Sequence, residues 1–242
     1  MRRSSAVLLT LLVPTVTGRG QFVEYTGINA AIPDDDASGL MDQRLVTGVA
    51  TDFGGLQVTL NLSGNEAPAF NGDLYATLSH NGTLVVLLNR PGRDAGLPFG
   101  YGDSGLSITF DDQAGAPDAH TYRLGLAGPF PSPGAVTGVV STDGRLVDPD
   151  LVETASPRSG SLNDFVGGDP NGQWTLFVAD LSSGGAARLD SWAINFIPVP
   201  EPVPASLMLV GALCLGSWVQ HGSHQRARSD LSRARKPAAD GV

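Results

Sequence analysis

The stretch Leu74-Tyr-Ala-Thr-Leu78, His80-Asn-Gly82 and Thr83-Leu-Val-Val-Leu-Leu88 reads as two β-strands around a tight turn. Asn-Gly between two apolar runs is the strongest short hairpin signal, because both residues tolerate positive φ. Leu74, Ala76 and Leu78 share one face at the two-residue period of a strand, while Tyr75 and Thr77 face out or pack at an edge. The same signal recurs outward from the hairpin. Leu56-Gln-Val-Thr-Leu-Asn-Leu62 alternates apolar and polar residues. Ser107-Ile-Thr-Phe110, Thr121-Tyr-Arg-Leu-Gly-Leu126, Trp174-Thr-Leu-Phe-Val-Ala179 and Leu189-Asp-Ser-Trp-Ala-Ile-Asn-Phe196 also read as strands. No segment between residues 20 and 198 sustains a helical period. The chain holds 31 Gly and 17 Pro, and its connections carry Asp-Gly, Pro-Gly and Pro-Asn-Gly turns. Short strands and tight turns without helices predict an all-β fold, an antiparallel β-sandwich or jelly roll, with Trp174, Leu176, Val178, Trp192, Ile194 and Phe196 in its core.

Both ends of the chain read as targeting segments. Arg2 and Arg3 precede the apolar core Ala6–Val13, then Pro14 and small residues to Gly18. This is the pattern of a secretory signal peptide over 1–18, with cleavage near Thr17 or Gly18. At the other end, a Pro-rich spacer (198–204) leads into an apolar segment (205–220) and a basic tail (221–242). The run Ala205–Val219 is 15 residues long. As a helix it covers about 22 Å, short of the ~30 Å hydrocarbon core and so marginal as a permanent anchor. The basic tail favours the cytoplasmic side, which places the rest of the chain outside. Pro200-Glu201-Pro202 before the apolar run resembles the PEP-CTERM sorting signal of bacterial envelope and matrix proteins. That resemblance implies an exosortase-type enzyme as processing partner and a location at the cell envelope, at least transiently membrane-anchored. The tail is longer and less purely basic than such signals usually are.

Residues 19–199 hold eight Arg, no Lys and 21 acidic residues, a net charge of −13. A surface this acidic argues against nucleic acid, whose binding rests on neutralising phosphates. It suits an exported domain or one that meets divalent cations. The only cysteine, Cys214, lies in the apolar segment, so the exported part holds no disulfide.

Phe70-Asn-Gly-Asp-Leu-Tyr-Ala-Thr-Leu-Ser-His-Asn-Gly-Thr83, followed by Leu87-Leu-Asn-Arg90, resembles the P domain (P/Homo B domain) of subtilisin-like proprotein convertases. The shared features are a Gly-Asp-Leu strand, a Ser-x-x-Gly-Thr turn, and paired Leu with an Arg. Asn171-Gly-Gln-Trp-Thr-Leu-Phe-Val-Ala-Asp180 matches Gly-x-Trp-x-Leu-x-Val-x-Asp, and Gly185, Leu189 and Trp192 match the family's closing pattern. The resemblance covers residues 45–197 and implies a β-sandwich. Residues 19–44 form either an added strand or an arm.

Asp73 and Asp180 sit at strand ends, where a carboxylate caps the backbone amides of a turn. The alternative is calcium, which needs six to eight oxygens. Candidates are Asp34-Asp35-Asp36, Asp73, Asp103, Asp111-Asp112, Asp169 and Asp180, with Asp73, Asp111 and Asp180 as the expected ligands. None has EF-hand spacing, and Asp169-Pro-Asn171-Gly172 reads as a turn. Gly102-Asp-Ser-Gly105 imitates a serine-protease loop, but the exported part offers only His80 and His120 as bases, and neither has the flanking residues of a protease histidine. Asn61-Leu-Ser63 and Asn81-Gly-Thr83 match the N-glycosylation pattern, expected to be idle in a bacterium.

The expected function is therefore a non-catalytic surface or matrix module, with a matrix polysaccharide among its expected ligands. An accessory role beside a subtilisin-like endopeptidase is the alternative. The catalytic domain that accompanies a P domain does not fit in about 180 residues, and a hydrolase built on Ser104 is the third, weaker reading.

Overall fold

A computed structural model describes residues 20–199, except 66, 113, 114 and 133. The segments read as signal peptide (1–18), Pro200-Glu201-Pro202, apolar segment and basic tail lie outside the described residues. Among the described residues no helix is long and apolar enough to cross a membrane.

Ten strands carry the fold: β1 (Gln21–Tyr25), β2 (Ala30–Ala31), β3 (Asp36–Val46), β4 (Phe53–Gly64), β5 (Leu74–His80), β6 (Thr83–Asn89), β7 (Leu106–Phe110), β8 (Val136–Val140), β9 (Gly172–Asp180) and β10 (Ala187–Pro198). Short 3-10 segments span Asn71–Asp73, Ala119–Leu124 (two turns broken at Thr121) and Leu162–Phe165. One sheet runs β1-β10-β4-β7-β8, with β2 also paired to β10, and the other runs β3-β9-β5-β6. Every pairing is antiparallel except β7 with β8. This is the expected all-β sandwich. Residues 21–46 are built into both sheets, β1 and β2 against β10 and β3 against β9.

The alternation in the sequence becomes the core. Leu56, Val58, Leu60 and Leu62 of β4 face Leu74, Ala76 and Leu78 of β5, with Trp174, Leu176, Val178, Trp192, Ile194 and Phe196, in one buried cluster. The β5–β6 turn has positive φ at both Asn81 (45°) and Gly82 (84°), as Asn-Gly predicts. A bulge sets Leu87 out of register on β6, between the Ala76–Leu88 and Thr77–Val86 pairs. The edge of β6 is covered, because Gly144 N donates to Val86 O and Asp143 N to Leu87 O. That covering explains why Val85 through Leu88 are all buried rather than alternating. A second bulge, at Asp190 on β10, lets Leu189 and Trp192 share the inner face although they are three residues apart.

The expected strand Thr121–Leu126 does not form. Asp118 accepts a hydrogen bond from His120 N at 3.0 Å and starts a 3-10 turn instead. His120 and Tyr122 turn inward to buried polar partners, and Leu124 is left 84% exposed. The two-residue alternation of Tyr122, Leu124 and Leu126 imitates a strand, but the hydrogen-bonding needs of His120 and Tyr122 override it.

Candidate functional site

The two sequence motifs meet at one end of the smaller sheet. Asp73 closes the 3-10 turn ahead of β5, and Asp180 ends β9. Leu74 pairs directly with Asp180 across the ladder, and Leu181 N donates to Asp73 O at 2.9 Å. Gly72 is required here. A Cβ at that position would lie 2.2 Å from Phe99 O and 2.5 Å from Tyr101 N, so only glycine lets the 99–101 segment cross the turn.

The Asp180 side chain is 0% exposed, and neither of its oxygens has a hydrogen-bond partner among the described residues. Ser182 N lies near enough to lower its pKa, without full hydrogen-bonding geometry. Burial first, then the charge of Asp73 and that of Asp34, push Asp180 up to about 6. Burial also raises Asp73, against the lowering effects of Ser182 and Arg90. The Arg90 guanidinium is 3.6 Å from Asp73 Oδ1, beyond hydrogen-bonding distance. Arg90 itself donates to Gly72 O, Asp150 Oδ1 and Ser182 Oγ. Asp34 Oδ2 accepts from Gly184 N at 3.3 Å. Asp73 opens onto a cleft of about 290 Å³ whose walls include Phe70, Phe99, Tyr101, Ser182 and Ser183. The Ser182 N–H beside Asp180 is all that remains of the expected turn cap.

The other acidic candidates lie elsewhere. Asp111 follows β7 of the larger sheet and accepts from Gln57 Nε2 at 2.6 Å, so the structure does not bring it to Asp73 and Asp180. Asp112 binds Thr142 and Leu162 N, Asp169 closes the predicted turn onto Asn171 N, and Asp36 caps Ser38 N. Asp103 is buried. Burial alone would raise its pKa, but the bonds from Arg123, Tyr122 and Ser132 N outweigh that and hold it below the usual carboxylate range. Among the described residues no three His, Cys, Asp or Glu converge closely enough to hold a metal by themselves.

The Ser104 loop assembles no triad. Ser104 Oγ accepts from Ala69 N at 3.1 Å, within a bridge to Phe70. His80 stacks on Trp174 with parallel rings 4.1 Å apart, and its ring nitrogens face Gln173 O and Asp169 O. The ring nitrogens of His120 face Asn89 O, Asp143 Oδ2 and Arg93 O.

His120 belongs to a buried ionic group that sequence reasoning missed. Asp143 lies between His120 (3.0 Å) and Arg145 (3.2 Å), and Arg145 also binds Asp118 at 2.8 Å. These residues come from two separate stretches, 118–120 and 143–145, and no motif links them.

No family model matches the chain, and no curated protein matches it significantly. Among solved structures it is similar to the serine protease of Aeromonas sobria, with 19% identity and a TM-score of 0.36 over 76% of this chain and 27% of that one. It is also similar to that protease in complex with its chaperone, with 17% identity and a TM-score of 0.35 over 74% and 26%. The chain thus spans about a quarter of the length of the protease chains it matches.

Proposed function

We propose that this chain is an exported, non-catalytic module of P-domain type, held at or released from the bacterial envelope and used for binding or structure there. One observation carries the reading. The two separated motifs of the resemblance, Gly72-Asp73-Leu74 and Trp174 through Asp180, fold onto adjacent strands and pair Leu74 with Asp180. Motifs matched by chance at a separation of about a hundred residues have no reason to meet in register. The non-catalytic part is supported by the occupied hydrogen-bonding positions of Ser104, His80 and His120.

The test is expression of the full chain in a bacterium that carries an exosortase, followed by fractionation and external protease treatment of intact cells. The domain is expected in the envelope or medium, without its first residues and open to the protease. Retention in the cytoplasm overturns the reading. So does labelling by an active-site serine probe that disappears in Ser104→Ala. Recovery of a subtilisin-like protease bound to the module would replace surface binding by the accessory role.

A further inference from the structure

We infer that Asp180, Asp73 and the niche at Gly185 form the site of one structural divalent cation of the calcium class. Two independent features point there. The first is a set of carboxylate oxygens without hydrogen bonds, of which only Asp73 Oδ1 has a cation beside it, Arg90 at 3.6 Å. Three buried carboxylate oxygens, both of Asp180 and Oδ1 of Asp73, lack a hydrogen-bond partner among the described residues. Buried carboxylate oxygens are normally satisfied, and leaving them bare costs free energy. The second is shaped space. A Cβ at Gly185 would lie 2.9 Å from Pro68 O, 3.5 Å from the Phe70 ring and 3.7 Å from Asp180 Oδ2, so glycine keeps a side chain out of the space beside the carbonyl and the carboxylate.

The charges agree. Those acting on Asp180 come from Asp73, Asp34 and Arg90. Asp180, Asp73 and Asp34 share one guanidinium, Arg90, which also pairs with Asp150, so negative charge is in excess at this site. The ligands are all oxygens, which suits calcium over zinc or copper. Two carboxylates and a carbonyl do not complete a shell of six to eight, so water entering through the cleft beside Asp73 supplies the remainder. Asp34, held by Gly184 N, adds charge from the loop between β2 and β3. Asp111 takes no part. Such an ion ties the end of β9 to the turn before β5 and to the loop before β10, a cross-link suited to a domain without disulfides. The inference does not depend on where the module resides.

The test is thermal unfolding of the full chain at pH 7.5, in chelator and in millimolar calcium, followed by the fluorescence of the buried Trp174 and Trp192. Calcium is expected to raise the midpoint by several degrees, and equilibrium dialysis to give one ion per chain with a Kd of about 0.1–1 mM, the weak end of the calcium range, as suits a site with few protein ligands. Asp180→Asn and Asp73→Asn are expected to abolish both effects, and Asp111→Asn to keep them. Should one variant fail to fold, the other and the dialysis decide. An unchanged midpoint with calcium overturns the inference, leaving a proton or water between the carboxylates. A shift that persists in Asp180→Asn also overturns it, because the ion then binds elsewhere.

Discussion

Replacing Asp143 with Asn removes one negative charge from the buried ionic group and leaves the shape of the side chain unchanged. Asp143 is fully buried, as are His120 and Arg145. Its Oδ2 accepts from Asn89 N and lies 3.0 Å from His120 Nδ1, and its Oδ1 accepts from Arg145 N and Nη1. His120 Nε2 faces a third acceptor, Arg93 O. With only acceptors around the ring, the site favours the imidazolium over the neutral form. Burial opposes that charge most strongly, but the bond and charge of Asp143, with Arg93 O, outweigh it and raise the His120 pKa above 6.5. In the Asn variant one cation loses its carboxylate, the other keeps only Asp118, and an amide N–H points at groups that are themselves donors. Breaking one partner of a buried ionic group costs about 3–5 kcal/mol. In a domain of this size that lowers the unfolding midpoint by on the order of 10 °C. Urea unfolding of the full chain measures the loss. The pH profile supplies a second readout. A raised histidine pKa stabilises the fold fully below the unfolded value of about 6.5 and ceases to do so as pH rises through the folded value. Wild type is therefore expected to lose stability on the alkaline side of that value, and Asp143→Asn to show a much smaller decline. A loss below about 1 kcal/mol would refute the reasoning, because Asp143 could then not be the counter-charge of two buried cations.

Three further outcomes are expected. Trp174→Ala empties the junction of His80, Phe165 and Phe196 and removes the bond from Trp174 Nε1 to Pro170 O; calorimetry should show a loss of about 3–5 kcal/mol. Gly72→Ala forces the 99–101 segment away from the Asp73 turn, and denaturant titration should find it more destabilising than Gly82→Ala, where a Cβ meets nothing within 4 Å and only the positive φ resists. In chelator, Asp180 stabilises the fold fully below its ordinary pKa of 3.8, and this contribution disappears as pH rises to about 6. Ion-free wild type should therefore be less stable at pH 7.5 than Asp180→Asn, and denaturation midpoints that do not differ would contradict the assigned burial.

Local chemistry determined most of the secondary structure. The two-residue alternation of Leu56 to Leu62 and of Trp174 to Val178 names a strand and its inner face, because a pleated strand has no other way to bury every second side chain. Asn81-Gly82 names its turn because few other pairs accept positive φ twice in succession. The net charge of −13 over residues 19–199 and the absence of cysteine there are likewise properties of composition alone. Tertiary structure decided what depends on neighbours distant in sequence. It put Asp180 beside Asp73 and sent Asp111 to the other sheet, although all three are equivalent as acidic residues after or before an apolar run. It coiled Ala119–Leu124 because His120 and Tyr122 find their acceptors in Asp143 and Asp103, residues that no local rule connects to them. It also buried both faces of β6 by laying the 143–144 segment along its edge. A strand's period is written in the residues of that strand, whereas the cost of a buried charge is set by whatever the rest of the fold places within a few ångströms of it.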